Sequence, residues 1–209
     1  MHTYCGRMDE GTTRQDTGYS QFELDATAVK ILASPLRSRL LSTLRREGPA
    51  SATALAAKLS TNTGATSYHL RKLEELGLVT DTGEGRGKER IWRAATDSHS
   101  WDNAAFTGDE DAQTALSWLV REYHRALDLE YAHWLDVSES WPADWRSVSG
   151  MNDGWVNVTT DQARDMLADL DAVLTKYRHA GDGDPAARRV HLYWIDFPLD
   201  ADDPPEAEG

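Results

Sequence analysis

Between residues 63 and 72 the chain places Thr63, Gly64, Ala65, Ser67, Tyr68, Arg71 and Lys72, small and polar groups first and two adjacent cations last. Hydroxyls and cations of this kind bind anions. An arginine fork also reads a base edge, donating two hydrogen bonds to guanine O6 and N7. A second cationic group, Arg86, Lys88 and Arg90, lies in and just after the glycine-rich stretch "GEGRGKE". Together the two groups suit a nucleic-acid duplex. Thr63, Ser67 and Lys72 fit phosphates, Tyr68 and Arg71 fit base edges, and the second group fits the flanking backbone or minor groove.

The net charge of -13 over 209 residues argues against general polyanion binding. Its distribution argues differently. Residues 35–95 hold 11 Lys or Arg against 6 Asp or Glu, whereas residues 97–209 hold 8 against 24. Within a Debye length of about 8–10 Å an approaching phosphate meets the local excess of cations. The acidic remainder then discourages non-specific binding.

The elements that must position these residues are legible from periodicity. From Phe22, "FELDATAVKILAS" reads as a helix with Leu24, Ala28, Ile31 and Leu32 on one side, capped by Asp25 or Thr27. Pro35 opens a second helix, with Leu36, Leu40, Leu41 and Leu44 as its stripe. Ser51 caps a short third helix, and residues 63–76 form a fourth that Gly77 stops. On its helical wheel Thr66, Leu70 and Leu73 point inward, while Gly64, Ala65, Tyr68, Arg71 and Lys72 lie on the other side. The period then changes to two in "LVTDT" and "RIWRAA", a hairpin with residues 83–90 at its tip. Helices joined by one tight turn and closed by a hairpin make a winged helix-turn-helix.

The stretches "SPLRSRLLSTLRREGPASATALAAKL" and "ATSYHLRKLEELGLV" resemble bacterial ArsR-type winged-helix transcription regulators over about residues 24–95. Ser67, His69, Leu70, Leu73, Gly77, Leu78 and Val79 carry the resemblance. It implies a dimer on a two-fold double-stranded DNA operator, acting as a repressor relieved by a signal. The chain departs from the family's thiolate metal sensors, because its one cysteine, Cys5, lies outside the resemblance. His124, Asp128 and His133 lie along one helix, but His124 and His133 face opposite ways, so no metal site is expected. His69 borders the core and is not taken as a ligand. A phosphate-loop reading of "GEGRGKE" fails because strand, not helix, follows it.

Beyond residue 96 the expected organisation is a linker over 96–108, an α+β domain over 109–199 and an acidic, disordered tail over 200–209. A disordered arm over 1–20 precedes the winged-helix domain of 21–95. The fold class expected is mainly α with α+β. The C-terminal domain holds a long helix with the stripe Leu116, Val120, Tyr123, Leu127, Tyr131 and Trp134, and strands at "GWVNV" and "RRVHLYWIDFPL". A dimer seam is expected at the first helix, around Leu24–Leu32, and along the long helix around 112–135. The region's tryptophans fill the core and that seam, or Trp118, Trp134, Trp155 and Trp194 line a pocket for a small-molecule effector. The sequence shows no cofactor fingerprint and no nucleophile–base pair in a recognisable setting, so a regulator is expected rather than an enzyme. A winged helix serving protein contacts, or one appended to an enzyme, is the alternative. No apolar run reaches membrane-spanning length and no signal segment opens the chain, so the cytoplasm is the expected compartment.

Overall fold

The computed structural model describes residues 20–200 and residue 202. The expected arm and tail therefore lie outside the described residues, apart from Ser20, Asp200 and Asp202. Ser20 is tied down, with its amide and hydroxyl both donating to the Asp97 carboxylate at 3.0 and 2.9 Å.

Strand β1 (Gln21–Glu23) precedes helices α1 (Ala26–Leu32) and α2 (Pro35–Glu47). A short strand β2 (Ala50–Ser51) leads to α3 (Ala52–Lys58) and α4 (Thr63–Glu75), and the hairpin β3 (Val79–Asp81) and β4 (Ile91–Ala94) follows. Strand β4 is central, antiparallel to β2 on one side and to β3 on the other. Strand β5 (Ser98–Ser100) pairs in parallel with β1, Phe22 opposite His99. One turn of 3-10 helix (Asn103–Phe106) then leads into α5 (Glu110–Val137), and α6 (Ala143–Ser147) and α7 (Thr160–Tyr177) complete the described helices. The mainly helical chain with a small sheet matches the expected class.

The helix boundaries have local causes. Asp25, one of the two caps expected, accepts from the Ala28 amide at 2.7 Å, so α1 starts four residues after Phe22. Residues 21–23 are strand instead, because β5, far along the chain, offers them a ladder. At the end of α4 the Leu78 amide donates to the Leu73 carbonyl at 2.9 Å and the Gly77 amide to that of Glu74 at 2.8 Å. With Gly77 at φ 74° and Leu73 and Leu78 both buried, this is a Schellman stop.

A single apolar cluster joins α1 to α4, β3 and β4 with the 3-10 turn and the first third of α5. Leu24, Ala28, Val29 and Leu32 are buried in it together with Phe106, Ala112, Leu116 and Leu119. Two expectations change. The segment 96–108 is not a bare linker, since it supplies β5 and the buried Phe106. The apolar face of α1, expected at a dimer seam, is already covered within the chain by α5, which packs on it more extensively than on any other helix.

The C-terminal part also differs from expectation. Residues 154–158 and 188–199, expected as strands, form none, so the described residues beyond 100 carry helix without sheet. Period-two alternation marks a surface with two faces; a strand needs in addition a backbone ladder with a neighbour, and among the described residues neither segment joins a sheet. Helix α7 nevertheless has a complete capping box, Thr159 and Gln162 satisfying each other's backbone amides, yet it buries no residue.

Candidate nucleic-acid interface

Helix α4 is held by its inner face, where Thr66, Leu70 and Leu73 are fully buried against the domain. Its start is fixed by Asn62, whose side chain accepts from the Ala65 amide at 2.8 Å. Ser60, in the turn before it, takes φ 53°, an uncommon left-handed conformation that re-aims the chain between α3 and α4. A Cβ on Gly64 would stand 3.3 Å from the capping oxygen of Asn62, so the smallest residue is the one that leaves this end of the helix open.

The outer face then presents the remaining residues. Thr63, Gly64, Tyr68 and Arg71 are exposed, Tyr68 at 55%, and Ala65, Ser67 and Lys72 are half-buried. Among the described residues Arg71 makes no ion pair, and its charge is available to a ligand. Lys72 is different. Its ammonium lies 2.6 Å from the Glu75 carboxylate, a hydrogen bond that raises its pKa and neutralises much of its field. Of the two adjacent cations, one faces outward free and the other is partnered along the helix.

His69 turns back toward the core. Its Nδ1 lies 3.4 Å from a guanidinium nitrogen of Arg37 on α2, and a second nitrogen of that guanidinium donates to the Ile31 carbonyl at the end of α1. Burial first, and the nearby Arg37 charge second, lower the His69 pKa, so the ring accepts from Arg37 in its neutral form. This contact ties the middle of α4 to α1 and α2.

The hairpin tip separates in the same way. Arg86 and Lys88 are exposed and make no ion pair among the described residues. Arg90 sits at the base, 3.6 Å from Glu74 and 3.5 Å from Asp81, with its guanidinium 5.6 Å from the Trp92 ring centre. It braces the hairpin against α4, which differs from the part expected of it at the tip. Gly85 is required by space: a Cβ there would lie 1.9 Å from the Glu89 carbonyl oxygen. Arg39 on α2 and Arg93 on β4 are also exposed and make no ion pair among the described residues, and no motif singled them out. No local pattern marks them, since their freedom follows from which carboxylates the fold leaves distant.

The four tryptophans of the expected effector pocket are not brought together. Trp118 packs on the N-terminal core, Trp134 meets Trp141 edge-on at 5.5 Å, and Trp155 and Trp194 are exposed. Two aromatic groups do assemble: His99, Trp101 and Tyr123, with centroids 5.6 to 6.3 Å apart, and Trp134, Trp141 and Trp145, edge-on in succession at 5.5 and 6.2 Å. Among the described residues no three His, Cys, Asp or Glu side chains gather as metal ligands, and His124, Asp128 and His133 are exposed along α5.

Comparison with known proteins agrees with the geometry of the first half. Residues 32–82 match the family model of a helix-turn-helix domain. No curated protein matches the chain significantly. Among solved structures, an apo form of a doubly substituted ZitR of Lactococcus lactis is 12% identical, covers 69% of this chain and 83% of its own, and gives a TM-score of 0.31. A transcriptional regulator of Thermotoga maritima is also 12% identical, with 70% and 82% covered and a TM-score of 0.28. Likeness this low carries no argument about the whole chain, so the domain match and the exposed α4 face carry the comparison. The chain holds a helix-turn-helix domain of the kind that DNA-binding regulators use.

Proposed function

We propose that the protein is a sequence-specific regulator of transcription that binds double-stranded DNA as a dimer, with α4 in the major groove and the hairpin tip on the flanking backbone or minor groove. The observation that carries this is the division of α4. One face is fully buried, and the opposite one presents Tyr68 and Arg71, which makes no ion pair among the described residues, beside small residues at the helix start. In this motif the start of the second helix approaches the groove floor, where an arginine discriminates guanine.

Arg71 and Tyr68 read bases; Thr63 and Ser67 position the helix on phosphates. Arg86 and Lys88 extend the contact to the neighbouring groove. Lys72 and Arg90 contribute less direct attraction, because each is held by carboxylates of its own chain. The resemblance to ArsR-type regulators favours repression, and a two-fold operator requires two such helices about 34 Å apart.

Anisotropy titration of the full chain with its own promoter DNA and with random DNA, at 50 and 200 mM salt, tests the reading. Promoter binding that is tighter than random binding and steeply salt-dependent supports it.

A further inference from the structure

Two kinds of contact hold α4 to the rest of the domain. Thr66, Leu70 and Leu73 bury its inner face, and apolar burial is non-directional. Thr66 adds no direction of its own, because its buried hydroxyl meets no hydrogen-bond partner among the described residues. Directed contacts to other elements come from two α4 side chains among the described residues. Glu74, in the last turn, lies 3.6 Å from Arg90 of the hairpin. His69, in the middle, places Nδ1 3.4 Å from the Arg37 guanidinium of α2, which is itself held by the Ile31 carbonyl at the end of α1.

The base-reading side chains stand beside the second contact. Tyr68 precedes His69, its ring edge-on at 5.2 Å, and Arg71 follows two residues later. A turn of about 10° about a helix axis moves side-chain tips by about 1 Å. That is roughly twice the range of about 0.5 Å over which a hydrogen bond stays good. The rotation of α4 therefore decides whether Tyr68 and Arg71 meet their bases.

The contact also demands one protonation state. A guanidinium has donors and no acceptor, and so has a protonated imidazole. Nδ1 meets Arg37 only in the neutral ring, with the proton on Nε2. Burial first, and the Arg37 charge second, favour that form. Among the described residues Arg37 is the charge that acts on the ring; α1 contributes only the Ile31 carbonyl, and α4 itself the Tyr68 phenol. A proton on Nδ1 replaces the hydrogen bond by two facing cations.

We propose that Arg37 and His69 are a positioning pair for base readout: the neutral ring fixes the rotation of α4, and protonation of His69 releases it. The pair presupposes the DNA-binding reading above and gives it a pH dependence of unusual sign. Protons taken up by histidines near a duplex add positive charge and strengthen binding to every sequence. Here acid withdraws Tyr68 and Arg71 from their bases. Preference for promoter over random DNA falls, while random-sequence affinity holds or rises.

Competition anisotropy of the full chain on its own promoter fragment and on random DNA, from pH 8.0 to 5.5 at constant ionic strength, tests the pair. The wild-type preference falls about tenfold on acidification, the equivalent of one lost base contact. Far-UV circular dichroism, constant over the range, separates this from unfolding. His69→Asn, whose amide oxygen takes the place of Nδ1 and does not titrate, keeps the preference at pH 8.0 and holds it to pH 5.5. Arg37→Met loses the preference at every pH. NMR of the His69 ring in the DNA-free wild type does not depend on a variant's folding, and it finds Nδ1 without a proton at pH 7.5. A wild-type preference that is flat or rises toward acid overturns the pair and leaves DNA recognition standing. So does a His69→Asn profile that falls like the wild type's, an Arg37→Met chain that keeps the preference, or a protonated Nδ1 at pH 7.5. No promoter preference at any pH overturns both the pair and the reading beneath it.

Discussion

Arg45 on α2 places a guanidinium nitrogen 2.5 Å from the Nδ1 of His99 on β5, and the other ring nitrogen lies 2.5 Å from the Tyr123 hydroxyl on α5. The same guanidinium donates to the Thr96 carbonyl and hydroxyl and to the Ser98 carbonyl, each at 3.0 Å. Three elements distant in sequence thus meet in one polar knot between the helix-turn-helix and the long helix. Burial, and then the Arg45 charge, push the His99 pKa down to about 3, so the ring is neutral and accepts from Arg45. Burial likewise pushes the Tyr123 hydroxyl well above its usual range.

A pH dependence of stability follows from that shift. The folded pKa of His99 is depressed, so the unfolded chain binds the extra proton between about pH 6.5 and 3. The stabilisation is fully present above about pH 6.5 and is lost as pH falls toward 3, by at most about 1.4 kcal/mol per pH unit. Urea unfolding of wild type and His99→Gln between pH 4.5 and 7.5 checks this. The gap between the two curves narrows toward acid; a constant gap contradicts a buried neutral histidine.

Substituting Arg71 or Tyr68 by alanine is expected to weaken specific binding by about 1–3 kcal/mol each while leaving random-sequence binding nearly unchanged. Competition titrations on the promoter fragment and on random DNA measure the two losses. Equal losses on both would assign these side chains to phosphates.

The three wing cations should divide as the ion pairs do. Arg86→Ala with Lys88→Ala lowers affinity on every sequence and reduces the salt slope by about one unit for each phosphate contact removed. Arg90→Ala acts mainly on the hairpin, whose bracing to Glu74, Asp81 and Trp92 it removes, and changes the slope least. Slopes from titrations at four salt concentrations separate these outcomes.

Gly77→Ala tests the stop of α4. Its φ of 74° strains any side chain, so the variant should lose about 1 kcal/mol in urea unfolding, with DNA contacts otherwise intact. A stability equal to wild type would mean that the Schellman geometry is not what ends the helix.

The local grammar of the first half was readable, and its long-range pairings were not. The wheel through Thr66, Leu70 and Leu73 and the stop at Gly77 depend on neighbours within one or two turns, and the structure has both. Phe22 looked helical because its apolar spacing is ambiguous over three residues. Its strand state comes from residues 98–100, which no local pattern connects to it. Lys72 and Arg90 looked like free cations until the fold brought Glu75, Glu74 and Asp81 beside them. Tryptophans gave the weakest guidance. Composition shows that a region is aromatic, whereas the spread of Trp118, Trp134, Trp155 and Trp194 over packed and exposed positions depends on where the helices end.

Binding of the full chain to its own promoter region, titrated from 50 to 200 mM salt beside Arg71→Ala, measures the central claim most directly. The account predicts promoter affinity well above random-sequence affinity, a steep loss with salt, and a selective loss of the promoter preference in the variant. Absence of any salt-dependent binding, or a variant that keeps the full preference, would contradict it.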